Sequence, residues 1–219
     1  MELQIFLIFT LIGLVIAYTD YYGGGKGRPP PARPPPPPPP RGVKCPAGWT
    51  LWKRSQGNWC IRVFHGQYTN PQAEAQCHAK GATLTGLQTA AERNSLAKLG
   101  YNLIHQHKYG DAAIWLGARR KGSCPRAGIC SPRDTFFWTD KHTRGTAGFV
   151  FSPGQPDGIT DGYNGPWGVQ SCVHQFVFPS GSTHPRWPGI PHGALDDQYC
   201  QEGKKNPFTK FYACGRKAT

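Results

Sequence analysis

Eight cysteines, Cys45, Cys60, Cys77, Cys124, Cys130, Cys172, Cys200 and Cys214, have the most constrained chemistry in this sequence. An even number suits two uses, oxidation in pairs or ligation of a soft metal. No two of them form a Cys-x-x-Cys pair and there is no His-Glu-x-x-His run, so zinc is disfavoured and four disulfides are expected. Spacing alone leaves about 105 pairings open. His105-Gln106-His107 has the residue types of a catalytic or metal fragment, but on a polar stretch after a helix it reads as solvated side chains. Neither a Gly-x-Ser-x-Gly elbow nor a phosphate-binding loop occurs. A cysteine nucleophile is excluded once all eight cysteines pair. The chemistry that remains is binding, not turnover.

Paired cysteines require an oxidising compartment, and the first residues provide a route to one. Residues 5–17 are apolar or small and carry no charge, with Val15 and Ala17 placed for a signal-peptide cut after Ala17. Glu2 stands where a positive charge is usual, and the alternative is an uncleaved N-terminal anchor. No second stretch is long and apolar enough to span a bilayer, which takes about 20 residues. Residues 18–42 are a Gly/Pro-rich basic linker whose run 34–40 is all proline. That run is a stiff polyproline II rod, read as a spacer in preference to a docking ligand. Of the formal net charge of +13, the linker carries +3 and Glu2 −1, which leaves +11 on residues 43–219. A basic exported domain can meet acidic proteins or sulfated and carboxylated glycans, and export argues against nucleic acid. No Asn-x-Ser/Thr acceptor is present.

The elements that must position these groups come in two kinds. Asn70 caps a helix with Pro71 at its first position, running to Gly81. Thr89-Ala90-Ala91-Glu92 is a capping box for a second helix ending near Gly100. Short strands are expected at 59–64, 112–118, 136–139, 172–178 and 211–214. Helices early and strands late make an α+β domain. Between them, residues 139–170 form a Gly-, Pro- and Asp-rich stretch long enough to be a functional loop.

The order of several short motifs is more specific than any one of them. Cys45-Pro46-Ala47-Gly48-Trp49 opens the domain, followed by Ala73-Glu74-Ala75-Gln76-Cys77, Gly81-Ala82-Thr83-Leu84 and Glu92. Trp115-Leu116-Gly117-Ala118 and Phe137-Trp138-Thr139-Asp140 come next. Gln155-Pro156-Asp157 then precedes Cys172, and Leu195-Asp196-Asp197 precedes Cys200. From Cys45 to Cys214 the chain resembles a long-form C-type lectin domain, closest in phrasing to secreted nematode members. The resemblance implies a C-type lectin-like fold with two helices, short antiparallel strands and a long loop region. It also implies the pairs Cys77–Cys214, Cys172–Cys200, Cys45–Cys60 and Cys124–Cys130.

By the same resemblance, sugar is bound through a calcium ion in the long loop. Gln155, Asp157, Asp196 and Asp197 would hold both the ion and the sugar, with the Gln155–Pro156 bond cis. Calcium takes six to eight oxygen ligands, and two vicinal hydroxyls can supply two. Gln-Pro-Asp implies a galactose-type sugar, and Tyr163 or Trp167 could stack on its apolar face or simply pack the loop. Gln170 stands where calcium-binding relatives carry Glu, and Leu195-Asp196 replaces Trp-Asn. The expectation is therefore a secreted, calcium-dependent glycan-binding protein. The alternative is a calcium-independent module that binds an acidic protein or glycan through its basic face.

Overall fold

A computed structural model describes residues 43–160, 167–201 and 208–219. The expected signal peptide and linker lie outside the described residues. Among the described residues the domain has, besides a 3-10 turn at Pro132–Asp134, ten helices and strands: β1 Thr50–Trp52, β2 Trp59–His65, α1 Asn70–His78, β3 Thr83–Leu84, α2 Ala90–Gln106, β4 Ala112–Arg120, β5 Phe136–Trp138, β6 Cys172–Val177, β7 Leu195–Gln198 and β8 Thr209–Lys217. The strands form one sheet in the order β1-β2-β8-β4-β6-β7, with β3 added to β8 and β5 to β4. All pairs are antiparallel except β4–β8. The sheet is thus mixed and not wholly antiparallel, since β4 reaches β8 through a long crossover and not a hairpin.

Residues 112–118 of β4 are buried on both faces and read as an unbroken apolar run, which Arg119 and Arg120 end. Ile114, Leu116 and Ala118 join one core with Leu96 and Ile104 of α2, while Trp115 joins another with Ala73 and Cys77 of α1. Four bridges, Cys45–Cys60, Cys77–Cys214, Cys124–Cys130 and Cys172–Cys200, are the pairs that the resemblance implies.

Two helix boundaries differ from expectation for clear reasons. The cap of α1 is Thr69, whose hydroxyl accepts from Gln72 N while the Gln72 side chain accepts from Thr69 N. Asn70 is instead fully buried, donating to Leu116 O at 3.2 Å and accepting from Arg119 at 2.6 Å. Thr89 caps α2, but the capping box is half made, because the Glu92 carboxylate turns to Arg54 at 2.8 Å. Helix α2 also runs through Gly100 to Gln106. A Cβ at Gly100 would lie 2.7 Å from both Ile114 and Val177, so this glycine is a point of close approach and not a stop. His105 falls in the last turn of α2 with Nε2 3.0 Å from Pro179 O, and His107 stacks on His65 at 4.1 Å.

Candidate functional site

Between β5 and β6 the long loop is fixed to the core by packing and to β7 by backbone pairing. Phe149 is buried and stacks on Trp138 at 3.8 Å. Leu195 N donates to Val150 O at 3.0 Å and Ser152 N to Leu195 O at 2.9 Å, so Leu195 anchors the loop where the family carries Trp. The Gln155–Pro156 bond is cis, as expected. The Gln155 amide donates to Asp157 Oδ2 at 3.0 Å and its Oε1 accepts from Asp157 N at 2.8 Å. Asp157 Oδ1 accepts from Ile159 N at 3.3 Å. A cavity of about 500 Å³ lies beside Gln155, lined also by Arg133, Phe151 and Ser152.

Asp197 reaches this loop from β7, and a cation is already beside it. The carboxylate accepts from Asp157 N at 3.1 Å, from Gly158 N at 3.0 Å, and through Oδ2 from the Arg120 guanidinium. Arg120 ends β4 and also donates to Gln170 O at 2.7 Å and Cys124 O at 3.3 Å, with its guanidinium 4.9 Å from the Phe136 ring. The Arg120 and Asp197 side chains are 3 % and 0 % exposed. Burial pushes the Asp197 carboxyl up to about 7, with Asp196 and Asp157 adding to the rise and Arg120 and the Gly158 N–H opposing it.

The sequence singles out four ligands, and three of them converge. Gln155, Asp157 and Asp197 form one hydrogen-bonded group. Asp196 does not join it, because neighbours on a strand face opposite ways. It lies by His174, Oδ2 to Nε2 at 3.5 Å. Trp167 packs edge-on against Tyr199 at 5.5 Å, and Tyr163 lies outside the described residues. The Gln170 side-chain amide donates to Gln198 at 3.3 Å.

A calcium ion takes six to eight oxygen ligands and tolerates no second cation among them. Here the carboxylate oxygens of Asp157 and Asp197 and the Gln155 carbonyl all accept N–H donors, and a guanidinium stands among them. The placed residues do not fit calcium in this arrangement. Among the described residues, no three His, Cys, Asp or Glu side chains gather as a metal site. Arg120 is the member of this group that sequence reasoning missed. The available signal was an arginine two positions after Ala118 on the inward phase of a core strand.

Comparisons with known proteins agree with this geometry at the level of the fold. Residues 52–217 match the family described as C-type lectin domain-containing protein 141/158. Snaclec crotocetin-1 of Crotalus durissus terrificus is 35 % identical over 77 residues, covering 34 % of this chain and 44 % of that protein. The match thus spans less than half of that relative's length. A Ca2+-dependent type II antifreeze protein in its Ca2+-free form superposes with a TM-score of 0.50 at 16 % identity, covering 78 % of this chain and 99 % of that one. The cow C-type carbohydrate-recognition domain of CD23 gives 0.48 at 18 % identity, covering 81 % and 98 %. With residues 52–217 matched by that family's model, the chain belongs to the C-type lectin domain family.

Proposed function

We propose that this chain is a secreted C-type lectin-like binding module, not an enzyme, that takes an acidic protein or glycan without calcium. The observation that carries the reading is Arg120. Its guanidinium supplies, from within the chain, a positive charge beside Asp197 at the root of the long loop. A metal would have to displace that group, together with the N–H donors on Gln155, Asp157 and Asp197. Four disulfides, an apolar N-terminal segment and the +11 on residues 43–219 support an extracellular, anion-seeking role. Among the described residues no helix is long and apolar enough to cross a membrane.

One feature favours a second reading, calcium-dependent binding of a galactose-type sugar. The Gln155 amide nitrogen and Asp157 Oδ2 lie 3.0 Å apart, an amide and a carboxylate side by side in the long loop. Calcium titration of the full chain separates the two. Filling a real site to a hundredfold its Kd would stabilise the fold by about 2.7 kcal/mol. The expected result is no calorimetric heat and no Tm shift at millimolar calcium, with ligand capture unchanged by a chelator. Saturable heat, or capture abolished by chelation, would overturn the calcium-independent reading.

A further inference from the structure

A second, cationic cleft lies where β8 ends, next to β3 and the turn after β5. Its volume is about 290 Å³, and Trp59, Thr83, Lys141, His142, Arg216 and Lys217 are among the residues that line it. The floor is rigid. Trp59 stacks on His142 at 4.2 Å and donates to Thr85 at 2.9 Å. His142 Nδ1 lies 3.1 Å from Arg54 Nη1. Arginine can only donate, so Nδ1 is the acceptor and the ring hydrogen is on Nε2. Burial, then Arg54, Lys217 and Arg144, hold His142 below the usual imidazole range, with Asp140 opposing them. The ring is therefore a neutral donor, and the positive charge comes from the lysines and arginines around it.

Asp140 also lines this cleft, and its carboxylate, like that of Glu74 nearby, is already satisfied by internal donors. Asp140 Oδ1 accepts from His142 N at 3.0 Å and Thr143 N at 2.7 Å, and Oδ2 accepts from Gly86 N at 2.8 Å and Thr143 Oγ1 at 2.6 Å. Glu74, on α1, accepts from Thr83 Oγ1 and from Leu84 N at 2.5 Å, and lies 2.9 Å from His78. Arg54 is paired internally with Glu92. Lys141 and Lys217 are exposed and make no ion pair among the described residues.

The cations continue beyond the cleft as a band. Arg216 donates to Lys80 O at 3.4 Å, and Lys80 and Arg62 each lie 5.0 Å from the Phe64 ring. A row of positive charges around a cleft that size suits a repeating polyanion, one unit of which enters the cleft. A folded acidic partner offers separate carboxylates on a convex surface and would leave the cleft unfilled.

We propose that this cleft binds a sulfated glycan chain, one sulfate lodging between Lys141 and Lys217 while neighbouring sulfates pass the sheet edge to Arg216, Lys80 and Arg62 on the other face. The proposal rests on the reading of an anionic ligand, but not on Arg120 or on the long loop. Its test is binding of the full chain to a sulfated hexasaccharide, the desulfated form and polyglutamate, all in chelator. The double variant Lys141→Gln/Lys217→Gln is compared with Lys98→Gln/Lys108→Gln, which removes equal charge on and just past α2. The expected result is capture of the sulfated sugar alone, weakened roughly tenfold or more by the cleft variant and less than about threefold by the control. Equal losses in the two variants, no capture, or polyglutamate bound as tightly as the sulfated sugar would overturn the proposal. Capture that appears only when calcium replaces chelator would sink the calcium-independent reading instead, and the variant comparison repeated in calcium would still decide the cleft.

Discussion

Arg120→Met isolates the charge at the root of the long loop, because methionine can keep most of the stem packed near Phe136 while losing the guanidinium. Asp197 would remain fully buried with only the N–H groups of Asp157 and Gly158 as donors, and the carbonyls of Gln170 and Cys124 would each lose one. Removing one member of a buried ion pair costs about 3–5 kcal/mol. The pH dependence identifies the cause. Burial already raises the Asp197 carboxyl from 3.8 to about 7 in the folded protein. A group raised on folding contributes stability that is full below its unfolded pKa and lost as pH rises through its folded one. Without Arg120 the folded value climbs further, so the loss at high pH deepens by about 1.4 kcal/mol per unit. Because pH 8 lies only about one unit above the folded value with Arg120 in place, urea unfolding with the disulfides intact should show a ΔΔG of about 2–3.5 kcal/mol there. At pH 5 it should fall to about 1–2 kcal/mol, the cost of the neutral hydrogen bonds alone. A ΔΔG that stays constant, or grows toward acid, would refute the view that Arg120 serves as counter-ion to Asp197.

Gly117→Ala should cost about 3 kcal/mol or more in denaturant melts, since small-to-large changes are worst where backbone cannot retreat. Its Cβ would stand 2.1 Å from Leu84 O, and Leu84 is tied to Glu74 and to Cys214 of β8. The four bridges should also differ in value. Double Cys→Ser replacement of Cys77–Cys214, which closes 137 residues, should lower stability by about 5 kcal/mol on the chain-entropy account. The same change at Cys124–Cys130, which closes 6, should lower it by about 2 kcal/mol. Similar losses for both would mean that native contacts, not loop closure, set the contribution.

The fold was legible wherever a residue's role is local or its partner is fixed by chain order. The apolar run of β4 and the helix starts near Thr69 and Thr89 follow from short-range signals, while the cis proline was implied by the family resemblance. Boundaries failed where a long-range contact overrode the local rule. Gly100 looks like a helix end until Ile114 and Val177 are seen to press against it. Glu92 looks like half of a capping box until Arg54 takes it. The site was half legible for the same reason. Gln155, Asp157 and Asp197 could be picked out by motif, but their charge balance depends on Arg120, which lies 77 residues from Asp197. Asp196 shares the motif and not the site, because strand pleating turns it toward His174.

Residue 44 pairs with residue 219 through both backbone hydrogen bonds, so the two ends of the domain leave it side by side. Tension applied through those ends would travel from Cys45 across its bridge to Cys60, along the chain to Cys77, and across again to Cys214. Everything enclosed by the larger bridge carries none of that load. The long loop, Arg120 and the Lys141 side of the cleft all sit in this sheltered span, while residues 60–77 and 214–219 bear the strain. A molecule tethered at one end and pulled through its ligand, by contrast, is loaded through the sheltered span itself, so its grip and its anchorage should yield at different forces.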